Sequence, residues 1–397
     1  LRPVQHGRDI QLTLDSNLQT VAEEVLEFPV VPQGVFKRDA QWLADPEGAI
    51  VVLRPNGDLV VAASGPAPWS ERVGEDRLAI ERTLTKPDFK PPGSTFKPFV
   101  ALYALEHGHI SSGTSFICLA SPTDVKSDMG VYGGVHCHKL FGHSNRHPEP
   151  ETPALDVTDA LRMSCNVFFA HLGELLSIGD FWKLAHTFGF AEPTGILPED
   201  ASGGLVEHSS AELFSTKLGL RDRMRAANGL SVVEATPVQL ARAIAGLATG
   251  ELPEVRLVNA IEERGFLVEL PRAEPVPLPF SEASFDVVRS AMVEVAQHPD
   301  GSANDALSTE QVGFRMAVKT GSADLEWLNE TTLVKHTWVA GWAPAEDPKV
   351  VFVFFVRRTT QTSGWTAVWL ARQFFLQPEV REFLAAEGVP LEDVEFD

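Results

Sequence analysis

The sequence predicts an α+β protein. Its start and end are rich in strand patterns, its middle is rich in helical periodicity, and the two strand-rich ends can combine in one sheet. At 397 residues, with 44% hydrophobic and 22% charged residues, the chain has the composition of an ordinary globular protein with a sizeable core.

Along the chain, residues 9–14 alternate, and Asp15-Ser16 offers a helix cap before Leu18, Val21, Ala22, Val25 and Leu26 at helical spacing. Residues 48–64 form a hairpin pattern, with apolar runs flanking a turn at Pro55-Asn56-Gly57-Asp58. Pro91-Pro92-Gly93 breaks the chain, and a helix is expected from about Ser94 to His107, with Phe96, Val100, Tyr103 and Ala104 inward. Residues 110–153 lack periodicity and are rich in Gly, Ser, His and Pro, which marks a long excursion. Helical patterns return over 155–163, 166–176 and 237–247. Residues 315–322, 337–343 and 349–358 follow as strands, with a helix near 366–375. The domain is expected over 1–378, with 94–250 as a mainly helical subdomain and 379–397 as a tail.

A formal net charge of −21 argues against a nucleic-acid partner, since phosphate binding needs a basic patch. No apolar run approaches the roughly 18 residues of a membrane span. The short apolar run 350–356 has the length and β-branched, aromatic make-up of a buried strand. The chain begins at Leu1, not Met, so it is expected to be a fragment or processed form. Three cysteines are too few for a disulfide scaffold.

Three short motifs carry chemistry. Ser94-Thr95-Phe96-Lys97 is the only Ser-x-x-Lys, and at helical spacing its hydroxyl and amine share a face. A serine is a weak nucleophile until a base takes its proton, and a lysine whose pKa is lowered can be that base. A serine at a helix start also sets the positive end of the helix dipole near an incipient oxyanion. Ser164-Cys165-Asn166 lies between two helical patterns and can project a hydroxyl and a carboxamide together, although alone it also suits a helix cap. Ser302-Ala303-Asn304 repeats that pattern after Pro299-Asp300-Gly301, where it has the look of an ordinary turn. Lys319-Thr320-Gly321-Ser322 ends a strand pattern. There Lys319 and Thr320, on an exposed strand edge, can hold a carboxylate, Gly321 leaves room for a substrate to pair with the strand, and the Ser322 N–H can join that of Ser94 as an oxyanion hole.

The order and placement of the three motifs resemble the transpeptidase domain of penicillin-binding proteins, most of all the monofunctional class B group. The resemblance takes in 9–26, 48–64, 91–99, 160–169, 236–245, 318–323 and 336–344. It implies the penicillin-binding/β-lactamase-like transpeptidase fold, a five-stranded antiparallel sheet flanked by helices with a helical subdomain. It implies a Ser94 acyl-enzyme on a peptidoglycan stem peptide ending in D-Ala-D-Ala, with Lys97 as base and Ser164 as proton relay. Asn166 would hold the substrate amide, Lys319, Thr320 and Gly321 its carboxylate end, and the Ser94 and Ser322 N–H groups the oxyanion.

No metal or organic cofactor is required by such chemistry. The expected partners are stem peptides, β-lactams and a cell-wall synthesis complex with a glycosyltransferase. The expected location is extracytoplasmic, with an anchor upstream of this chain. Ala227-Asn228-Gly229 departs from the Gly-Gln-Gly-like turn of the family and leaves the edge of the site open. The same motifs serve a D,D-carboxypeptidase, a serine β-lactamase or a β-lactam sensor. Cys118, His136, Cys137, His138, His143 and His147 cluster between the first two motifs; free or disulfide-bonded cysteines suit their spacing better than a zinc site.

Overall fold

The computed structural model describes residues 7–27, 47–65, 91–118, 131–132, 135–136, 154–192, 194, 196, 219–231, 233–327, 333–360 and 366–394. Most of the cysteine and histidine cluster, Cys137, His138, His143 and His147, lies outside these residues, as does most of the excursion after residue 118.

The chain opens with β1 (Ile10–Leu12) and α1 (Ser16–Glu27). Asp15 caps α1, its Oδ1 accepting from Asn17 N–H at 3.0 Å and Leu18 N–H at 3.1 Å. All five residues of the predicted apolar stripe are buried. The hairpin follows as β2 (Glu47–Leu53) and β3 (Leu59–Gly65). A single 3-10 turn (Gly93–Phe96) then runs into α2 (Lys97–Glu106), so the regular helix starts three residues later than its pattern suggests. The helical middle comprises α3 (Val157–Arg162), α4 (Asn166–Leu175), α5 (Ile178–Thr187), α6 (Leu220–Ala226) and α7 (Pro237–Thr249).

Next come β4 (Val258–Glu263), β5 (Phe266–Glu269) and α8 (Glu282–Gln297). The expected elements do not include α8, although Phe285, Val288, Met292 and Val295 recur at helical spacing and are buried. The long strands β6 (Ala317–Trp327), β7 (Leu333–Ala343) and β8 (Val350–Thr360) lead to α9 (Ala367–Phe375) and α10 (Pro378–Ala386). Residues beyond 378, expected as a tail, thus include a helix that buries Val380 and Leu384 in the core.

The main sheet has five antiparallel strands in the order β6-β7-β8-β2-β3, so strands from both ends of the chain pair, β8 with β2. Ala49, Val51 and Leu53 of β2 join the core on one face, with α2 and α7; Ile50 and Val52 join the core on the other, with α1 and α9. In β8 the same split sends Val351, Val353 and Phe355 one way and Phe352, Phe354 and Val356 the other. Burial on both faces explains the unbroken apolar run at 350–356, since neither face has to be polar.

Helix α7 is buried almost all round. Its Thr-Pro-x-Gln start is a capping box, in which Thr236 Oγ1 accepts from Gln239 N–H at 3.0 Å and Gln239 Oε1 from Thr236 N–H at 3.1 Å. Among the described residues no helix is long and apolar enough to cross a membrane.

Candidate active site

Three segments meet at the outer edge of β6, an edge strand of the sheet. The first is the 3-10 turn that carries Ser94. Its backbone is fixed by close approaches that only glycine permits. Gly93 has φ +54°, and a Cβ there would lie 2.3 Å from Ser322 O. Gly93 N–H donates to Gly229 O at 2.9 Å, and Gly229, at φ +69°, has no room for a Cβ against Gly93 O. Ser94 is half-buried, one residue after this lock and three before Lys97. Below it Phe96 and Phe99 pack edge-on against Phe190, with ring centroids 5.3 and 5.2 Å apart, which anchors the base of the turn.

Lys97 is fully buried at the first position of α2. Its Nζ donates to Ser164 O at 2.9 Å and to Asn166 Oδ1 at 2.7 Å, and it lies 3.5 Å from Ser164 Oγ. The Phe169 ring stands 5.2 Å away and closes one side of the amine.

The second segment is the turn between α3 and α4. Ser164 holds a left-handed conformation, φ +57°, which is uncommon for a residue with a side chain. The cap of α4 is Cys165, whose Sγ accepts from Phe168 N–H at 3.5 Å. Capping therefore does not occupy Ser164 or Asn166, and both side chains turn to Lys97. Asn228 braces this turn from just beyond α6, its Nδ2 donating to Asn166 O at 3.2 Å and Met224 O at 3.0 Å. The departure at Ala227-Asn228-Gly229 is thus a structural joint: Asn228 holds the second segment while Gly229 holds the first.

The third segment is β6. Thr320 pairs with Val339 and Gly321 with Trp338 of β7, which leaves the opposite edge of β6 toward the cleft. A Cβ on Gly321 would meet Pro92 O at 2.5 Å, so glycine lets the strand and the Ser94 turn touch. Ser322 is exposed at the end of this contact.

Lys319 differs from the exposed strand-edge lysine suggested by the sequence. It is fully buried, and its Nζ donates to Ser164 Oγ at 2.9 Å and Thr320 O at 3.0 Å. Burial first, and the positive charge of Lys97 second, hold this amine well below the usual lysine range. Thr320 is half-buried, and its hydroxyl lies 2.6 Å from Ser302 Oγ. Ser302, read from the sequence as part of an ordinary turn, therefore reaches the site. The only sign of it in the sequence is the repeated Ser-x-Asn pattern.

A serine three residues before a buried lysine, a hydroxyl between two amines and a Lys-Thr-Gly edge strand thus bring the three motifs of the sequence together. The chain belongs to the penicillin binding protein transpeptidase domain family, whose model matches residues 48–374. It is 25% identical over 387 residues to the peptidoglycan D,D-transpeptidase MrdA of Salmonella typhimurium, covering 92% of this chain and 58% of that protein. To MrdA of Escherichia coli K12 it is 26% identical over 372 residues, covering 88% of this chain and 54% of that one. The chain thus spans a little over half the length of these relatives. The fold matches Pseudomonas aeruginosa PBP2, solved with WCK 5153, at a TM-score of 0.66 and 22% identity over 97% of this chain and 81% of that one. Mycobacterium tuberculosis PBP3, solved with aztreonam, gives a TM-score of 0.70 at 20% identity over 98% and 81% of the two chains.

Proposed function

We propose that this chain is the catalytic domain of a peptidoglycan D,D-transpeptidase that works through a Ser94 acyl-enzyme. The observation that carries this reading is the Ser164 hydroxyl held between Lys319 Nζ at 2.9 Å and Lys97 Nζ at 3.5 Å. Lys97 Nζ is held by Ser164 O and Asn166 Oδ1 within reach of the Ser164 hydroxyl, and it acts as the base once it has lost its proton. Ser94 Oγ attacks the carbonyl carbon of the penultimate D-Ala and gives its proton to Lys97. The oxyanion is met by the N–H groups of Ser94 and Ser322. Ser164 hands a proton to the departing D-Ala nitrogen and is refilled from Lys97. The amine of a second stem peptide then attacks the ester, which forms the cross-link and restores Ser94.

Asn166 holds the substrate amide, and Lys319 and Thr320, beside Gly321, hold its terminal carboxylate. A β-lactam enters the same route, but its leaving nitrogen stays tethered to the acyl group, so the adduct persists. This chemistry sets the domain outside the cytoplasmic membrane, where peptidoglycan lies. The PBP2 of Helicobacter pylori has been solved in complex with MreC and has this fold, with a TM-score of 0.63. A cell-wall assembly partner suits this chain by analogy with that complex.

The test is acylation by a fluorescent penicillin with intact mass followed over hours. A stable adduct on the wild type and none on Ser94→Ala is expected. Fast loss of the label with drug hydrolysis would move the assignment to a β-lactamase, and a folded wild type that never labels would end it.

A further inference from the structure

Ser302 sits in the turn that follows α8, eighteen residues before Thr320. The turn is tightly tied. Gly301 N–H donates to His298 O at 2.7 Å, Ala303 N–H to Val295 O at 3.0 Å, and Asn304 Nδ2 to Ala296 O at 2.8 Å. A Cβ on Gly301 would lie 2.3 Å from Val295 O, so the turn lies flat on the end of the helix. These bonds fix the backbone that carries Ser302.

Ser302 touches both walls of the cleft. Its N–H donates to Arg162 O at 3.3 Å, at the end of α3 and two residues before Ser164. Its Oγ lies 2.6 Å from Thr320 Oγ1 on β6. Arg162 in turn ties α3 to α8, with Nη1 2.8 Å from Glu294 Oε2 and Nη2 2.6 Å from Asp159 Oδ1. The turn carrying Ser302 is therefore fixed to the segment that presents Ser164.

Two hydroxyls at this separation share one hydrogen, so the pair keeps one O–H free to donate outward. If Thr320 rotated freely it would spend part of its time with no donor facing the cleft. With Ser302 beside it, Thr320 has a standing partner, and Ser302 itself is exposed. The remaining O–H can donate to an anion that lies beside Thr320.

We propose that Ser302 is a positioning residue for the carboxylate of the substrate or β-lactam, acting through Thr320, an inference that rests on the acyl-enzyme reading above. It lies outside the three motifs. It does not touch the reacting atoms, so its effect falls on binding of the anion before acylation and not on the chemical step.

A double-mutant cycle on benzylpenicillin acylation tests this. In Ser302→Ala the dissociation constant that precedes acylation is expected to rise about tenfold, with the first-order acylation rate within about twofold. Ser302→Thr restores binding. In a Thr320→Val background, Ser302→Ala adds no further loss, because its route to the ligand is gone. Losses that add fully, or a fall in the acylation rate with binding unchanged, would overturn the proposal while the acyl-enzyme reading stands. A wild type that is never acylated removes both. Thermal melting of each variant separates these outcomes from misfolding.

Discussion

Lys319 Nζ lies 2.9 Å from Ser164 Oγ, and both residues are buried, so the lysine of the third motif is joined to the serine of the second across 155 residues of chain. Lys97 approaches the same hydroxyl from the other side at 3.5 Å. Two amines about one hydroxyl make a short proton path. They also make a place where positive charge is costly, since both lysines are fully buried and Ser164, Asn166 and Thr320 give them neutral acceptors.

That cost fixes a pH dependence. The Lys319 value is lowered in the folded state from 10.5, so between the lowered value and 10.5 the unfolded chain holds more protons than the folded one. Stability contributed through Lys319 therefore rises with pH across that window, and the penalty is complete below it. Lys319→Met should flatten the slope of unfolding free energy against pH on the alkaline side, read by urea melts at a series of pH values. The same variant should lose penicillin acylation by about 100-fold or more, as expected when the hydrogen bond to Ser164 and its proton path are lost. An unchanged slope would mean that Lys319 keeps its ordinary proton affinity.

Ser164 combines a strained backbone with a shared hydroxyl. Ser164→Ala removes the hydroxyl but keeps a Cβ at φ +57°, and is expected to cost about 1–3 kcal/mol from the unsatisfied amines. Ser164→Gly loses the same hydroxyl but relieves the left-handed strain, so it should be the more stable of the two by about 1 kcal/mol. Both should be poorly acylated. Chemical denaturation of the pair decides it, and an alanine variant as stable as the glycine one would show that the turn carries no strain.

The Gly93–Gly229 contact predicts a third outcome. A Cβ at Gly229 would press on Gly93 O at a positive φ, so Gly229→Ala must push the Ser94 turn away from β6 or unfold its support. A loss of about 2 kcal/mol or more is expected, with acylation falling further than stability alone explains. Melting curves and labelling rates measured on the same preparation read both effects, and a variant with wild-type labelling would show that Ser94 does not depend on this lock.

Much of this protein is written locally. The hairpin turn at 55–58, the cap of α1 and the Thr236–Gln239 box involve residues a few positions apart, where spacing and side-chain chemistry suffice. Ser94 and Lys97 are legible for the same reason, and Lys319-Thr320-Gly321 because it stands in a strand. The helix over Glu282–Gln297 is equally local, since its apolar residues recur at helical spacing.

Only the tertiary structure decided which groups meet. The burial of Lys319, its bond to Ser164, the Asn228 brace on Asn166 and the Ser302–Thr320 pair all join residues far apart in the chain. No periodicity encodes them, because each depends on how α3, α4 and α8 pack against α2 and β6 and on a left-handed turn at Ser164 that aims its hydroxyl. The sequence by itself determined the elements, the three motifs and the family they resemble. Packing of the helices against α2 and β6 decided that two lysines, and not one, would share a single serine, since it sets Lys97, Ser164 and Lys319 side by side.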